Sequence, residues 1–334
     1  MITPLRAAMS TLAAAVLLSI LGAVPTLAAT TKTNPWRQAK PWNIAHQGGE
    51  DEFPSNTLYA FKRAIKAGAD MLELDVGVTK DGVVVVRHDT TVDSTTNGKG
   101  EVASFTLKQI RRLDGAYWFS PRSPHYDQGR PASAYPFRGI ATGRRKPPKG
   151  YTRDDFRVAT LAEVMAAFPR TPINVEIKGR TKTEAISEYL TNARHLAKLL
   201  KPTPRRDIIV VSFKQEAVDL FHQLAPKLPL APGVGGSQDF LLGNVLPGPG
   251  VVAFQLPTTY VINGAKILVS SKDFIAKAHN AGFAWHTWFN NGDPDAAVTW
   301  QSLIDNCVDG VMTSRSVAFE RFLKTHPSPA ACRP

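Results

Sequence analysis

The stretch MLELDVGVTKDGVVVVRHD, residues 71–89, decides the fold. Residues 70–76 and 83–88 are both short, apolar, β-branched runs bounded by turn residues, which is how strands read. Parallel neighbours need a crossover of about a dozen residues, so this pair must form an antiparallel hairpin turning at Asp81-Gly82. Working outward, further strand-like runs lie near 43–46, 172–178, 208–213, 228–234, 251–256, 283–289 and 309–313. Setting the hairpin partner 83–88 aside leaves eight. They alternate with amphipathic stretches expected to be helical at 56–68 (Asn56 as a candidate cap), 160–168, 181–200, 214–224 and 271–281. Eight strands alternating with helices predict an α/β (β/α)8 TIM barrel with a hairpin excursion.

The same strands carry ionisable groups where a core would want apolar ones. Glu73 and Asp75 are two residues apart and aim to one face, as do Asn174, Glu176 and Lys178 in INVEIKG. His46 closes the run in NIAHQGG, and His88 closes the hairpin. A lone Glu-x-Asp on a strand is more often a solvated edge or a structural ion pair, and a lone His a hydrogen-bonded structural residue. In a parallel barrel, however, groups at the C-terminal strand ends converge on one mouth. Three carboxylates meeting there repel unless a cation joins them, and an all-oxygen set suits Ca²⁺ or Mg²⁺ rather than zinc. The two histidines, with reference pKa values of about 6.5, can serve as base and acid in turn. The chemistry these groups suit is metal-assisted cleavage of a phosphodiester.

Residues 115–157 break the pattern. They are rich in Pro, Gly and aromatics, show no period, and hold nine Arg or Lys against three Asp. The segment is too long for an ordinary loop, and its aromatics argue against plain disorder. At the N-terminus, residues 1–29 combine Arg6, an apolar run from Ala7 to about Val24 and small residues near Ala28, which reads as a cleaved secretory signal peptide. The expected organisation is a signal at 1–29 and a barrel domain at 30–334 with its insertion at 115–157, secreted or otherwise extracytoplasmic. The net charge of +12 favours anionic partners. Export permits a disulfide between the only two cysteines, Cys307 and Cys332.

At IAHQGG, the block PSNTLYAFKRAIKAGADMLELDVGVTKDGVVVVRHDTTVDSTTNGKG, NVEIKG and the closing VDGVMTS, the chain resembles the glycerophosphodiester phosphodiesterases, within the phosphatidylinositol-phospholipase-C-like TIM barrels. The resemblance implies Glu73, Asp75 and Glu176 as metal ligands, His46 and His88 as the acid/base pair, Lys178 as a phosphate contact, and an insertion at the barrel mouth. Four departures bear on substrate grip. Gln47 stands where the family has a phosphate-gripping Arg. Ser55 replaces the Glu of Pro-Glu-Asn-Thr, and Ser94 the Arg of an Arg-Thr-Thr run. The usual Trp-Thr appears as Thr287-Trp288, so Trp288 or Trp285 supplies the aromatic contact; Arg87 or an insertion Arg is a candidate for the missing charge.

The sequence thus predicts a secreted, metal-dependent phosphodiesterase that releases glycerol 3-phosphate from glycerophosphodiesters. A lysophospholipase D or sphingomyelinase-D-like enzyme is the rival, favoured by the insertion aromatics. A non-catalytic binder of anionic glycerol-phosphate polymers is the second. Expected partners are a small phosphodiester, a lysophospholipid or a glycerol-phosphate polymer, with peripheral contact at anionic surfaces; no nucleic acid is expected, since no recognised binding module accompanies the basic, aromatic segment.

Overall fold

The computed structural model describes residues 34–262, 265–290 and 292–332. The segment expected to be a signal peptide lies outside them. Ten strands form among the described residues: β1 (Trp42–Ala45), β2 (Met71–Val78), β3 (Val84–Val86), β4 (Ile173–Ile177), β5 (Ile208–Val211), β6 (Ala253–Pro257), β7 (Thr259–Ile262), β8 (Ala265–Leu268), β9 (Ala284–Trp288) and β10 (Gly310–Thr313). Seven of them run parallel in the order β5-β4-β2-β1-β10-β9-β6. β3 pairs antiparallel with β2 through the expected turn, where Gly82 takes φ +81°, a left-handed conformation a side chain would resist.

The eighth barrel strand, expected at 228–234, is reduced to one residue. Leu230 bridges Val210 on one side and Val251 on the other, both in parallel register. Pro229 and Pro232 flank it, and neither can donate to a ladder, so pairing cannot spread in either direction. Four backbone bonds nevertheless close the barrel: Val210 N–H to Pro229, Ala231 N–H to Val210, Leu230 N–H to Gly250 and Val252 N–H to Leu230.

Nine helices accompany the strands among the described residues: α1 (Leu58–Ala67), α2 (Leu107–Ile110), α3 (Leu161–Ala167), α4 (Ile186–Leu200), α5 (Gln215–Leu224), α6 (Val234–Gly243), α7 (Lys272–Asn280), α8 (Ala297–Asp305) and α9 (Ser316–Leu323). Thr57 rather than Asn56 caps α1, its hydroxyl accepting the Ala60 N–H at 3.1 Å. Strand alternation sorts the core. Leu72, Leu74 and Val76 of β2 pack outward with Phe61, Val164 and Leu196 of the helices, in one continuous buried cluster. Met71 points inward with Ile44, Ile209, Ala231, Ala253, Ala284 and Met312, filling the barrel below its mouth. Glu73 and Asp75 continue that inward row.

The insertion at 115–157 is ordered by its own aromatics. Phe119, Tyr135 and Phe156 are fully buried, and Tyr59 of α1 stacks on Phe156 at 4.6 Å and meets Tyr151 at 4.7 Å. Arg138 lies over Tyr117, Trp118 and Tyr135 at 3.9 to 4.6 Å, an internal cation–π stack. Lys62 of α1 reaches Asp155 at 2.5 Å. Arg144, Arg145, Lys146 and Lys149 remain exposed.

Cys307 and Cys332 are disulfide-bonded across a separation of 25 residues, tying the C-terminal tail to the end of α8. Closing a loop of this length restricts the unfolded chain by about 3 kcal/mol. The double substitution Cys307→Ser/Cys332→Ser is expected to lower the thermal midpoint by about 5 °C or more in a melting experiment, with turnover at 25 °C unchanged.

Candidate active site

β1 ends at Ala45, and the backbone then turns sharply through Gln47, Gly48 and Gly49, all with φ between +48° and +84°. At Gly48 this is obligatory in a second sense, since a Cβ would stand 2.8 Å from the Cβ of Ala60. The turn leaves His46 at the barrel mouth and points the Gln47 N–H back at Glu73 Oε2, 2.8 Å away. Asp75 is opposite Glu176 and Glu73 opposite Asn174 in the β2–β4 register. One carboxylate oxygen from each of Glu73, Asp75 and Glu176 lies within 4.8 Å of the others.

Each histidine is held by a carboxylate. His46 Nδ1 is 2.6 Å from Glu50 Oε1, which also accepts the Ser314 hydroxyl at 2.7 Å, while His46 Nε2 faces Glu73 at 3.9 Å. His88 Nδ1 is 2.8 Å from Asp89. Lys178 stands 2.7 Å from Glu176 and 3.4 Å from Asp75. Asn56, in place of capping a helix, donates to Asp75 Oδ2 at 3.1 Å.

The electrostatics follow from burial and crowding. Burial, reinforced by Asp75, pushes the Glu73 carboxyl up to about 8. Burial also raises Glu176, against the pull of Lys178. Asp75, although buried, is held below its ordinary range by Lys178 and His88. Burial works against a charged His46, yet Glu50, Glu73 and Asp75 raise it to about 10; Asp75 chiefly raises His88. The cluster therefore crowds three carboxylates against Lys178 and a protonated His46, and Glu73 gives up its charge in response. Asp75 Oδ1 accepts no hydrogen bond, and its lysine lies at 3.4 Å. Three convergent carboxylates with an underused oxygen fit a hard divalent cation, which would draw them back into the ionised state.

The residues expected from the sequence divide clearly. His46, Glu73, His88, Glu176, Lys178 and Trp288 line one cavity of about 370 Å³ at the mouth. Asp75 sits behind them, 1 % exposed. Gln47 is buried and its side-chain oxygen accepts the Ser55 hydroxyl; Ser55 N–H in turn donates to Tyr126 of the insertion at 2.6 Å. Trp288 meets Phe213 edge-on at 5.6 Å, whereas Trp285 is fully buried, its indole N–H given to Ser270 and Thr287. Arg87 does not supply the missing charge: it is 5 % exposed and spends its guanidinium on Thr91, Thr95 and Ser94. The partners Glu50, Asn56 and Gln255 escaped sequence reasoning. Glu50 follows His46 by four residues, a helical spacing, but across a glycine-rich turn that gives no reason to read the segment as a helix. Gln255 bonds Asn174 across the barrel at 2.8 Å, which no local pattern reveals.

A model of the glycerophosphoryl diester phosphodiesterase family matches residues 46–318. A glycerophosphodiester phosphodiesterase of Bacillus subtilis is 28 % identical over 304 residues, covering 90 % of this chain and 92 % of the relative. Among solved structures, a glycerophosphodiester phosphodiesterase from Agrobacterium tumefaciens superposes with a TM-score of 0.56 at 22 % identity, covering 83 % of this chain and 98 % of that one. An Oleispira antarctica phosphodiesterase, solved with the product sn-glycerol-3-phosphate, gives a TM-score of 0.59 at 17 % identity over 86 % and 98 % of the two chains.

Proposed function

The chain belongs to the glycerophosphoryl diester phosphodiesterase family, and on that premise we propose that it hydrolyses glycerophosphodiesters to glycerol 3-phosphate and an alcohol with a divalent cation and a histidine pair. The observation that carries this reading is the set of three carboxylate oxygens within 4.8 Å, flanked by two histidines that each lean on a carboxylate. Glu73, Asp75 and Glu176 would hold Ca²⁺ or Mg²⁺. The chemistry such a cation supplies is neutralisation of the charge that builds on the phosphate.

The chain's own groups do the rest. Glu50 fixes the His46 ring through Nδ1; a cation held by Glu73 and Asp75 would offset the carboxylates that otherwise keep His46 protonated, leaving Nε2 to take a proton from the nucleophile, water or the glycerol's own hydroxyl. Asp89 fixes His88 in the same way, leaving Nε2 to protonate the departing alkoxide. The nucleophile's oxygen joins phosphorus as the bond to the alcohol oxygen breaks; a cyclic phosphate, where it forms, is opened by water. Lys178, wedged between Glu176 and Asp75, is the cation within reach of a phosphate oxygen, and Trp288 offers a face to the substrate. Release of glycerol 3-phosphate from glycerophosphocholine, suppressed by chelator and restored by Ca²⁺ or Mg²⁺, tests the reading. Binding without turnover, also for poly(glycerol phosphate), would instead favour the non-catalytic binder.

The disulfide supports an extracytoplasmic setting, because such bonds persist in oxidising compartments. There the exposed Arg144, Arg145 and Lys146 are free to attract anionic substrates. Replacing all three with Gln is expected to lower kcat/KM about three- to tenfold at low ionic strength and hardly at all in high salt, with kcat unchanged. Steady-state kinetics at two salt concentrations check this.

A further inference from the structure

We propose that the cavity beside the histidine pair is a binding site for a single acyl chain, which makes a monoacyl glycerophospholipid the preferred substrate. The inference rests on the phosphodiesterase reading above and names its substrate class. The cavity has two unlike halves. One holds His46, His88, Glu176 and Lys178; the other is walled by Val234 and Leu241 of α6, Tyr260 of β7, Ile267 of β8 and Phe274 of α7. A glycerophosphodiester with a small head group is polar throughout and gains nothing from that second half. A molecule with a phosphodiester at one end and a hydrocarbon at the other uses both.

The rim points the same way. Leu242 is 68 % exposed and Ile267 37 % exposed, both against the cavity. Exposed apolar side chains at a pocket mouth mark a binding surface rather than a solvated face. They come from α6 and the β7–β8 ribbon. β7 and β8 pair with each other and with no other described strand. α6 buries only its Phe240 side, stacked on Phe254 at 4.5 Å. The volume, about 370 Å³, sits near the low end for ligand pockets, which suits one chain and not two. The insertion aromatics take no part, since they are consumed in packing against Tyr59 and Arg138.

The test compares glycerophosphocholine with lysophosphatidylcholines of increasing acyl length, each below its micellar concentration, by choline release. Each methylene that enters the cavity is worth about two- to fourfold in kcat/KM, so the preference for an eight- to twelve-carbon chain should exceed tenfold. The double variant Leu242→Asp/Ile267→Asp alters exposed side chains and leaves folding intact; it should erase the chain-length dependence and keep glycerophosphocholine turnover. Calorimetric titration with dodecylphosphocholine, against phosphocholine, supplies a readout that needs no turnover: wild type binds the former and the variant does not. Metal-dependent glycerophosphocholine hydrolysis with no gain from the chain overturns this proposal alone. Absence of hydrolysis on every substrate overturns the phosphodiesterase reading, and the titration still decides the acyl site. Equal loss on both substrates in the double variant, or dodecylphosphocholine binding that survives it, overturns the assignment of the wall.

Discussion

Glu73→Gln and Asp75→Asn are each expected to cut turnover of glycerophosphocholine by about a thousandfold or more, the scale of losing several kcal/mol of charge stabilisation at the phosphate. Both substitutions are nearly isosteric, so the barrel survives. Burial and Asp75 drive the Glu73 carboxyl up to about 8, which means that the folded protein tolerates the charged triad poorly without a counter-ion. Wild type should therefore gain thermal stability when Ca²⁺ or Mg²⁺ is added, as any ligand specific to the native state confers. Glu73→Gln should fold without that gain. A variant that keeps normal turnover in excess chelator would remove the metal from the mechanism, and a wild-type melting curve indifferent to both cations would remove the site.

The second large effect is at the histidines. His46→Ala and His88→Ala are each expected to lower kcat by roughly 10² to 10⁴, the contribution of a positioned acid or base. Unlike the carboxylate variants they should retain the stabilisation by divalent cation, and this separates loss of proton transfer from loss of the metal. Glu50→Gln, which keeps an acceptor for the His46 ring but no charge, should fall by a smaller factor. Near-normal kcat in either alanine variant makes that histidine structural and leaves the other to act alone.

What could be read from the chain beforehand was whatever strand periodicity encodes. A period of two puts Glu73, Asp75 and Met71 on one face of β2 and the leucines on the other, and it needs no knowledge of the rest of the molecule. The hairpin was equally legible because Asp81-Gly82 is a local instruction. Leu230 was misjudged in extent, since its run looked like a strand while its prolines forbade a ladder. The helix α6, in VGGSQDFLLG, was missed because three glycines hide a segment that tertiary packing of Phe240 makes helical. The β7–β8 ribbon was missed for a related reason: every residue of β8 is exposed, so burial leaves no alternation to read. The insertion aromatics favour a lipid substrate on the sequence alone, yet their rings pack on one another, and most of the apolar wall lies in the two elements that local patterns conceal, with Phe274 of α7 beside them.

The proline-bounded closure at Leu230 has a bearing on how such a molecule can diversify. In the circular order of strands, β1 and β2, which carry the histidine turn and two of the three carboxylates, lie far from the joint between β5 and β6. There the cylinder is fastened by four backbone bonds around a single residue, and α6 begins four residues after it. Chemistry is thus mounted on the continuous side of the ring and selection on the fastening. Insertions, deletions or changes of helix angle near the joint can reshape what the mouth admits while the carboxylates on the opposite arc keep their register. A lineage carrying this architecture is free to exchange one class of alcohol or chain for another without reinventing the reaction.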